Sequence, residues 1–309
     1  MEVTREQFIF PSYQDHQPVA AYVYLPSQRP YRGVVQISHG MCEYILRYEP
    51  FCQFLAQAGF VVCGADHLGH GQTAPEKSAL GLLGEKSGHL FLTENLNLLC
   101  DLMRSRFADL PYFLLGHSMG SFVARDFLAK YGYKLQGALI SGTSGGNSLA
   151  GLGIAVAKAL IFLTGGKRPS RLLTAMAFGS YNKRFEKRTR YDWLSRDEAV
   201  VDAYVADAYC NFMFTARGYL DLFTVLRRVS QPEWAGCVPK ELPVLLFAGE
   251  EDPVGDYGQG VKAVYDRLQR AGLQRVELKL YPGGRHEMLN EINRQEVYAD
   301  VRAFLESCL

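Results

Sequence analysis

The chain has 309 residues, enough for one large α/β domain or a domain carrying an insertion. Hydrophobic residues make up 48% and charged residues 21%, the balance of an ordinary globular protein, and a formal net charge of +1 gives no reason to expect nucleic acid as a partner. Seven cysteines, odd in number and without a C-x-x-C pair, argue against a disulfide framework or zinc site and fit a reducing cytoplasm. The opening residues Met1 to Gln7 are polar and lack the apolar stretch of a secretory leader. The longest apolar stretch, Leu149 to Leu163, is interrupted by Lys158 and too short for a typical membrane span. The expected location is therefore cytoplasmic.

Gln7 to Phe10 and Val19 to Leu25 read as an antiparallel entry hairpin. Val34 to Ile37 is an apolar run of the kind found in buried strands. A helix follows from Tyr48 to Ala58, closed by Gly59, and then a strand from Phe60 to Ala65. Leu96, Leu99, Met103 and Phe107 fall at helical spacing within Leu92 to Phe107. The strand Tyr112 to Leu115 leads into Gly116-His117-Ser118-Met119-Gly120, followed by a helix from Ser121 to Tyr131 and a strand ending near Ser141. Strands alternating with helices imply a mostly parallel sheet covered on both faces. After Gly145 the pattern changes to helices without obvious strands until about Trp234. It then returns to a strand (Val244 to Ala248), a helix (Gln259 to Ala271), a strand (Val276 to Tyr281) and a helix (Glu291 to Leu305). Residues 1–145 and 235–309 thus read as one core, and 146–234 as a helical cap inserted over the strand ends, where open α/β sheets bind ligands.

Gly116 to Gly120 is a G-x-S-x-G sequence in a strand–turn–helix setting, which lifts a serine hydroxyl above the sheet on a sharp turn. Ser118 is the expected nucleophile. A second match, Gly142 to Gly146, lacks a helix-forming continuation, so Ser144 reads as a loop serine. A serine nucleophile needs a base, and His286 in Gly283-Gly284-Arg285-His286 is the one histidine downstream, on the loop after the last strand. The orienting acid should follow the preceding strand. Asp252 is preferred in Glu250-Glu251-Asp252-Pro253 because Pro253 stiffens the chain there, with Glu251 and Asp256 as alternatives. Two backbone N–H groups should hold the oxyanion: that of Met119, and that of Met41 in the loop His39-Gly40-Met41. Asp66-His67-Leu68-Gly69-His70 reads as a turn rather than a metal site. Lys183, Arg184, Lys187, Arg188 and Arg190 read as a solvated cap helix, with anionic lipid contact as the alternative. Leu149, Leu152, Val156, Ala159, Leu160 and Leu163 form a stripe at helical spacing, with Ile154 and Phe162 also apolar. This segment reads as packing that also lines the pocket, or else as a surface that dips into a membrane.

Together these residues resemble the monoacylglycerol lipase and lysophospholipase branch of the α/β-hydrolases. Ser38-His39-Gly40-Met41-Cys42-Glu43-Tyr44 with Arg47-Tyr48 looks like that branch's oxyanion segment, except that Tyr44 stands where histidine is usual. Asp66 to Thr73 looks like its D-H-x-G-H-G-x-S segment, with Thr73 for serine. Tyr191 to Arg196 resembles a segment of many bacterial members. The resemblance implies an α/β-hydrolase fold, with a mostly parallel central sheet, helices on both faces and an inserted cap. It also implies hydrolysis of monoacylglycerols or related short lipid esters through an acyl-enzyme, without metal or organic cofactor. Gly40, Tyr44, Ile154 and Phe162 are the expected substrate-contacting residues, and the expected partner is a small ester or lipid. Lysophospholipase, thioesterase and aminopeptidase activities are alternatives. Met119 disfavours the last, since proline-type peptidases of this fold tend to carry tryptophan there. A ligand receptor that kept the fold is a further alternative.

Overall fold

The computed structural model describes residues 2–13, 16–146 and 150–309. β1 (Val3–Pro11) and β2 (Pro18–Pro26) form the antiparallel entry hairpin. β3 (Gly33–Ser38), α1 (Glu49–Gln57), β4 (Phe60–Ala65), α2 (Gly88–Arg106), β5 (Tyr112–His117), α3 (Met119–Tyr131) and β6 (Gly137–Ser141) follow in strict alternation. Between β6 and the next strand come α4 (Ala150–Thr164), α5 (Arg171–Phe178), α6 (Glu198–Ala206), α7 (Ala216–Ser230) and α8 (Glu233–Gly236). The chain ends with β7 (Val244–Gly249), α9 (Gln259–Arg270), β8 (Val276–Tyr281) and α10 (Arg294–Glu306). The eight strands lie in the order β1-β2-β4-β3-β5-β6-β7-β8, parallel from β4 onward.

Alternation along each strand sorts the core into two layers. Val34, Val61, Cys63 and Leu114 face α2, α3, α7 and α9, while Val35, Phe60, Val62 and Phe113 face α1 and α10. Both faces are covered, which is why these strands are apolar throughout. A third cluster, Trp193, Leu194, Tyr204 and Cys210, packs on Tyr44 and Val254 from the loops after β3 and β7.

Two helices begin three or more residues from their expected positions, each through a distant partner. α2 starts one turn before Leu92 because the Asp221 carboxylate of α7 accepts the His89 N–H at 3.0 Å. α10 starts at Arg294, not Glu291, because the buried Glu291 carboxylate turns inward to Arg196 and the Arg285 N–H. The basic run from Lys183 is no helix beyond a single 3-10 turn, Tyr181–Arg184; Arg184 stacks on Tyr257 and Arg188 pairs with Asp202. In α4 the expected stripe splits. Ala150, Gly153 and Ala157 are its buried face, Val156 and Leu160 are half-buried, and Leu152, Ala159 and Leu163 are exposed. Leu149 lies outside the described residues. α7 packs on the core helices α2 and α3 as well as on α4.

Candidate active site

Four loops meet at the carboxyl ends of β3, β5, β7 and β8. The central one is the turn at Ser118, whose φ of 53° and ψ of −120° are values that side chains rarely adopt. Such a conformation costs on the order of 1–3 kcal/mol and must be held by its surroundings. Here the Ser118 N–H donates to Ser141 O at 3.0 Å, and Ser118 O accepts from the Ser121 N–H and hydroxyl. The flanking glycines are required by close approach. A Cβ at Gly120 would lie 2.0 Å from Ser38 O, and one at Gly116 would lie 2.4 Å from Gly120 O.

His286 sits on the loop after β8, fully buried, with its Nδ1 2.9 Å from Asp252 Oδ2. Asp252 is itself completely buried, and its other oxygen accepts the Val254 N–H, whereas Glu251 and Asp256 are exposed. Burial pushes the imidazole towards its neutral form, but the Asp252 carboxylate outweighs burial, with Glu287 and Glu43 adding to it, so His286 titrates above its ordinary value. Its ring lies 4.7 Å from that of His117 and 5.1 Å from that of Trp193. Among the described residues no hydrogen bond involves Ser118 Oγ or His286 Nε2.

The loop after β3 brings Gly40 against the serine: a Cβ there would lie 3.1 Å from Ser118 Cβ. The Gly40 N–H is taken by Glu43 Oε1 at 2.5 Å, whereas that of Met41 has no partner among the described residues. Met119 opens α3, where a first-turn N–H has no acceptor within the helix. The two expected oxyanion donors thus stand on the segments that flank Ser118.

The Asp66 to Thr73 segment braces this loop. His70 Nε2 accepts the Cys42 N–H at 3.2 Å and its Nδ1 donates to Leu68 O. His39 Nε2 accepts the His67 N–H, and Asp66 accepts the N–H groups of Ile45 and Gln72. Thr73 accepts the Ala20 N–H and donates to Asp66 O, bonds that a serine hydroxyl there could also make. Among the described residues no group of three or more His, Cys, Asp or Glu is placed to hold a metal ion.

Of the expected substrate contacts, Gly40 lies at the serine and Tyr44 beneath the aromatic cluster, its hydroxyl 2.7 Å from Asp207 just past α6. Ile154 is half-buried against the core, and Phe162 is 90% exposed, so the structure does not bring it to Ser118. Residue reading missed two features. Trp193 packs on His286 and its carbonyl accepts the His286 N–H, and Arg47 bridges Glu43 and Glu287. The only signal for either was its place in a recognised segment; the partners lie far away in sequence.

A mostly parallel sheet with a serine on a strained strand–helix turn, and with helices inserted in the chain after β6, defines an α/β-hydrolase. The sequence model of the family described as serine aminopeptidase, S33, matches residues 29–293. The monoacylglycerol lipase of Mycolicibacterium smegmatis is 30% identical over 292 residues, covering 93% of this chain and 92% of that one. Human monoglyceride lipase is 27% identical, covering 90% of this chain and 82% of its own. Among solved structures, a thermostable carboxyl esterase from Bacillus coagulans in complex with glycerol superimposes with a TM-score of 0.92 at 34% identity, covering 99% of each chain. The chain belongs to the serine aminopeptidase S33 family, in the monoacylglycerol lipase and lysophospholipase branch of the α/β-hydrolases, and is a serine hydrolase.

Proposed function

We propose that the protein hydrolyses monoacylglycerols or related short lipid esters, with Ser118 as nucleophile, His286 as base and Asp252 as its orienting acid. The observation that carries this is the buried His286–Asp252 pair, 2.9 Å apart, on loops that converge with the strained turn of Ser118. His286 takes the Ser118 proton as the hydroxyl attacks the ester carbonyl. The Met41 and Met119 N–H groups receive the developing oxyanion. His286 then protonates the leaving alcohol and activates water to release the acid. Residues 146–234 act as a cap, whose Trp193, Leu194 and Tyr204 form a buried apolar cluster that packs on Tyr44 and Val254 of the core loops, with Trp193 against His286. The relatives' names, lipase and carboxyl esterase, support an ester substrate.

Hydrolysis of p-nitrophenyl esters and monoacylglycerols of increasing chain length tests the reading. The rate is expected to peak at medium or long acyl chains. Activity confined to acetyl and butyryl esters would instead make the protein a small-ester esterase, and absence of ester hydrolysis would discard the reading.

The outer face of α4 supports delivery from a lipid surface. Phe162 and Leu163 are 90% and 74% exposed, and Leu152 is 54% exposed. Lys158, Lys167, Arg168 and Arg171 are close to them in sequence, and no acidic residue occurs between Asp126 and Glu186. Exposed apolar side chains on a segment rich in cations, of which Lys167 is paired with Glu85, suit a bilayer with anionic headgroups. We expect the protein to float with phosphatidylglycerol-containing vesicles, and Phe162→Ser with Leu163→Ser to reduce the floated fraction severalfold. Equal flotation of the two proteins would sink the idea. No helix among the described residues is long and apolar enough to cross a membrane.

A further inference from the structure

Beside the candidate active site lies a charged cluster that the acyl-transfer steps leave unused. Glu43 and Arg47 follow the His39-Gly40-Met41 turn, and Glu287 follows His286 directly in the chain. Arg47 donates both terminal nitrogens to Glu287, at 2.8 and 2.7 Å, and one of them also to Glu43 Oε2 at 2.6 Å. The second oxygen of Glu43 accepts the Gly40 N–H and the Tyr48 hydroxyl, at 2.5 and 2.6 Å. Asn290 donates to Glu287 at 2.9 Å, and the guanidinium rests on the Tyr204 ring of α6. The two carboxylate side chains are 3% and 5% exposed and the guanidinium side chain is 11% exposed.

Burying three charges costs free energy that an apolar trio of similar volume would not, so stability alone is a poor reason for this arrangement. What the cluster does geometrically is specific. From Gly40 N–H to Glu43, from Glu43 to Arg47 and from Arg47 to Glu287, it runs without a break from the loop carrying the Met41 N–H to the loop carrying His286. A bidentate guanidinium fixes both distance and orientation, which an ammonium does not.

Resting on the reading of Ser118 and His286 given above, we propose that Arg47 is a positioning residue, which locks the Gly40–Met41 turn and the His286 loop at one spacing around Ser118, and that Glu287 supplies a negative charge favouring the imidazolium formed during the reaction. The charged and titratable groups facing His286 are Asp252 after β7, His117 at the end of β5, Glu287 on its own loop, and Glu43 with Arg47 after β3. Glu287 is held ionised: burial works against its charge, but the Arg47 guanidinium outweighs it. Its removal therefore makes His286 harder to protonate and moves the acid limb of the reaction to lower pH.

The test compares the full chain with Arg47→Lys and Glu287→Gln, using a fluorophosphonate that labels the active serine and, in parallel, p-nitrophenyl butyrate. Arg47→Lys keeps the charge but loses the fork. Its labelling rate and kcat are expected to fall about 10–100-fold while KM changes by less than about threefold. For Glu287→Gln, the pH midpoint of labelling is expected to fall by about half a unit or more. Arg47→Lys rates within about twofold of the wild type, or superimposed pH profiles for Glu287→Gln, overturn the proposal. If Arg47→Lys does not fold, by its circular dichroism and thermal unfolding, the Glu287→Gln profile decides. A wild type that labels but hydrolyses no ester discards the substrate reading and leaves the labelling comparison to judge this one. A wild type that neither labels nor hydrolyses discards both.

Discussion

Ser118→Ala is expected to lower kcat for ester hydrolysis by about 10⁴-fold or more and to abolish fluorophosphonate labelling. On the proposed reading, Ser118 Oγ is the one atom for which the site has no substitute, and what survives its removal is the proposed oxyanion donors acting on water. His286→Ala should cost about as much, and the double variant no more than either single one, because the two groups act as one unit. Asp252→Asn should also cost about 10⁴-fold, since an amide favours the wrong imidazole tautomer. Ser144→Ala distinguishes the two G-x-S-x-G sequences. Ser144 lies on a loop where its carbonyl accepts from Arg125 and its hydroxyl from the Gly146 N–H, so full activity is expected in that variant. Retention of more than a few per cent of activity in Ser118→Ala, measured on freshly purified protein with p-nitrophenyl butyrate, would end the assignment.

The second large effect is a loss of stability in mild acid. His39, His67, His70 and His117 are buried, and all four are held neutral. Burial is the main cause; it takes His67 down to about 3 and His70 to about 4, and drives His39 and His117 well below their ordinary value. Two of these rings accept backbone N–H groups through Nε2, a bond that a protonated ring cannot make. The unfolded chain has no such restriction and takes up protons below about pH 6.5. Native-state pKa values that are depressed therefore confer stability that is complete above that pH and is lost as the pH falls towards 4. At pH 5 each imidazole contributes about 2 kcal/mol of destabilisation. Three groups oppose it. His286 is raised by Asp252 over the effect of burial, while burial raises Asp66 to about 6 and Glu43 above its ordinary value; all three bind protons more readily when folded. The net expectation is several kcal/mol lost between about pH 7.5 and 5, seen as a marked fall in the thermal unfolding midpoint. An unchanged midpoint across that range would contradict the neutral, hydrogen-bonded state of the four rings.

The parallel strands were legible because each is a short apolar run between turn residues. β4 and β8 fall on the expected bounds, and the others differ by a few residues. Ser118 was legible for the same local reason: strand, sharp turn and helix are adjacent in the chain, and the glycines mark where backbone meets backbone. His286 was chosen by elimination and Asp252 by its place after β7, and the fold brings the two side chains within 2.9 Å of each other. The buried choice among Asp252, Glu251 and Asp256 is visible in the fold, where only Asp252 turns inward to meet the imidazole. The α4 stripe went differently. Leu152 and Leu163 have the apolar spacing of a core face, yet the smaller Ala150, Gly153 and Ala157 are what the neighbouring helices cover. At Gly153 a Cβ would lie 2.7 Å from the Phe223 ring of α7, so close helix packing, not hydrophobicity, chose the buried side.

The sequence by itself therefore determined the class of fold, the alternation of layers and the serine on its turn, because each depends on neighbours within a few residues. Tertiary structure alone decided the start of α2, the buried face of α4, the packing of Trp193 on His286 and the Glu43–Arg47–Glu287 bridge. These depend on pairs as much as 240 residues apart, and the energy of a buried charge or a close helix contact is set by a partner that local sequence does not name.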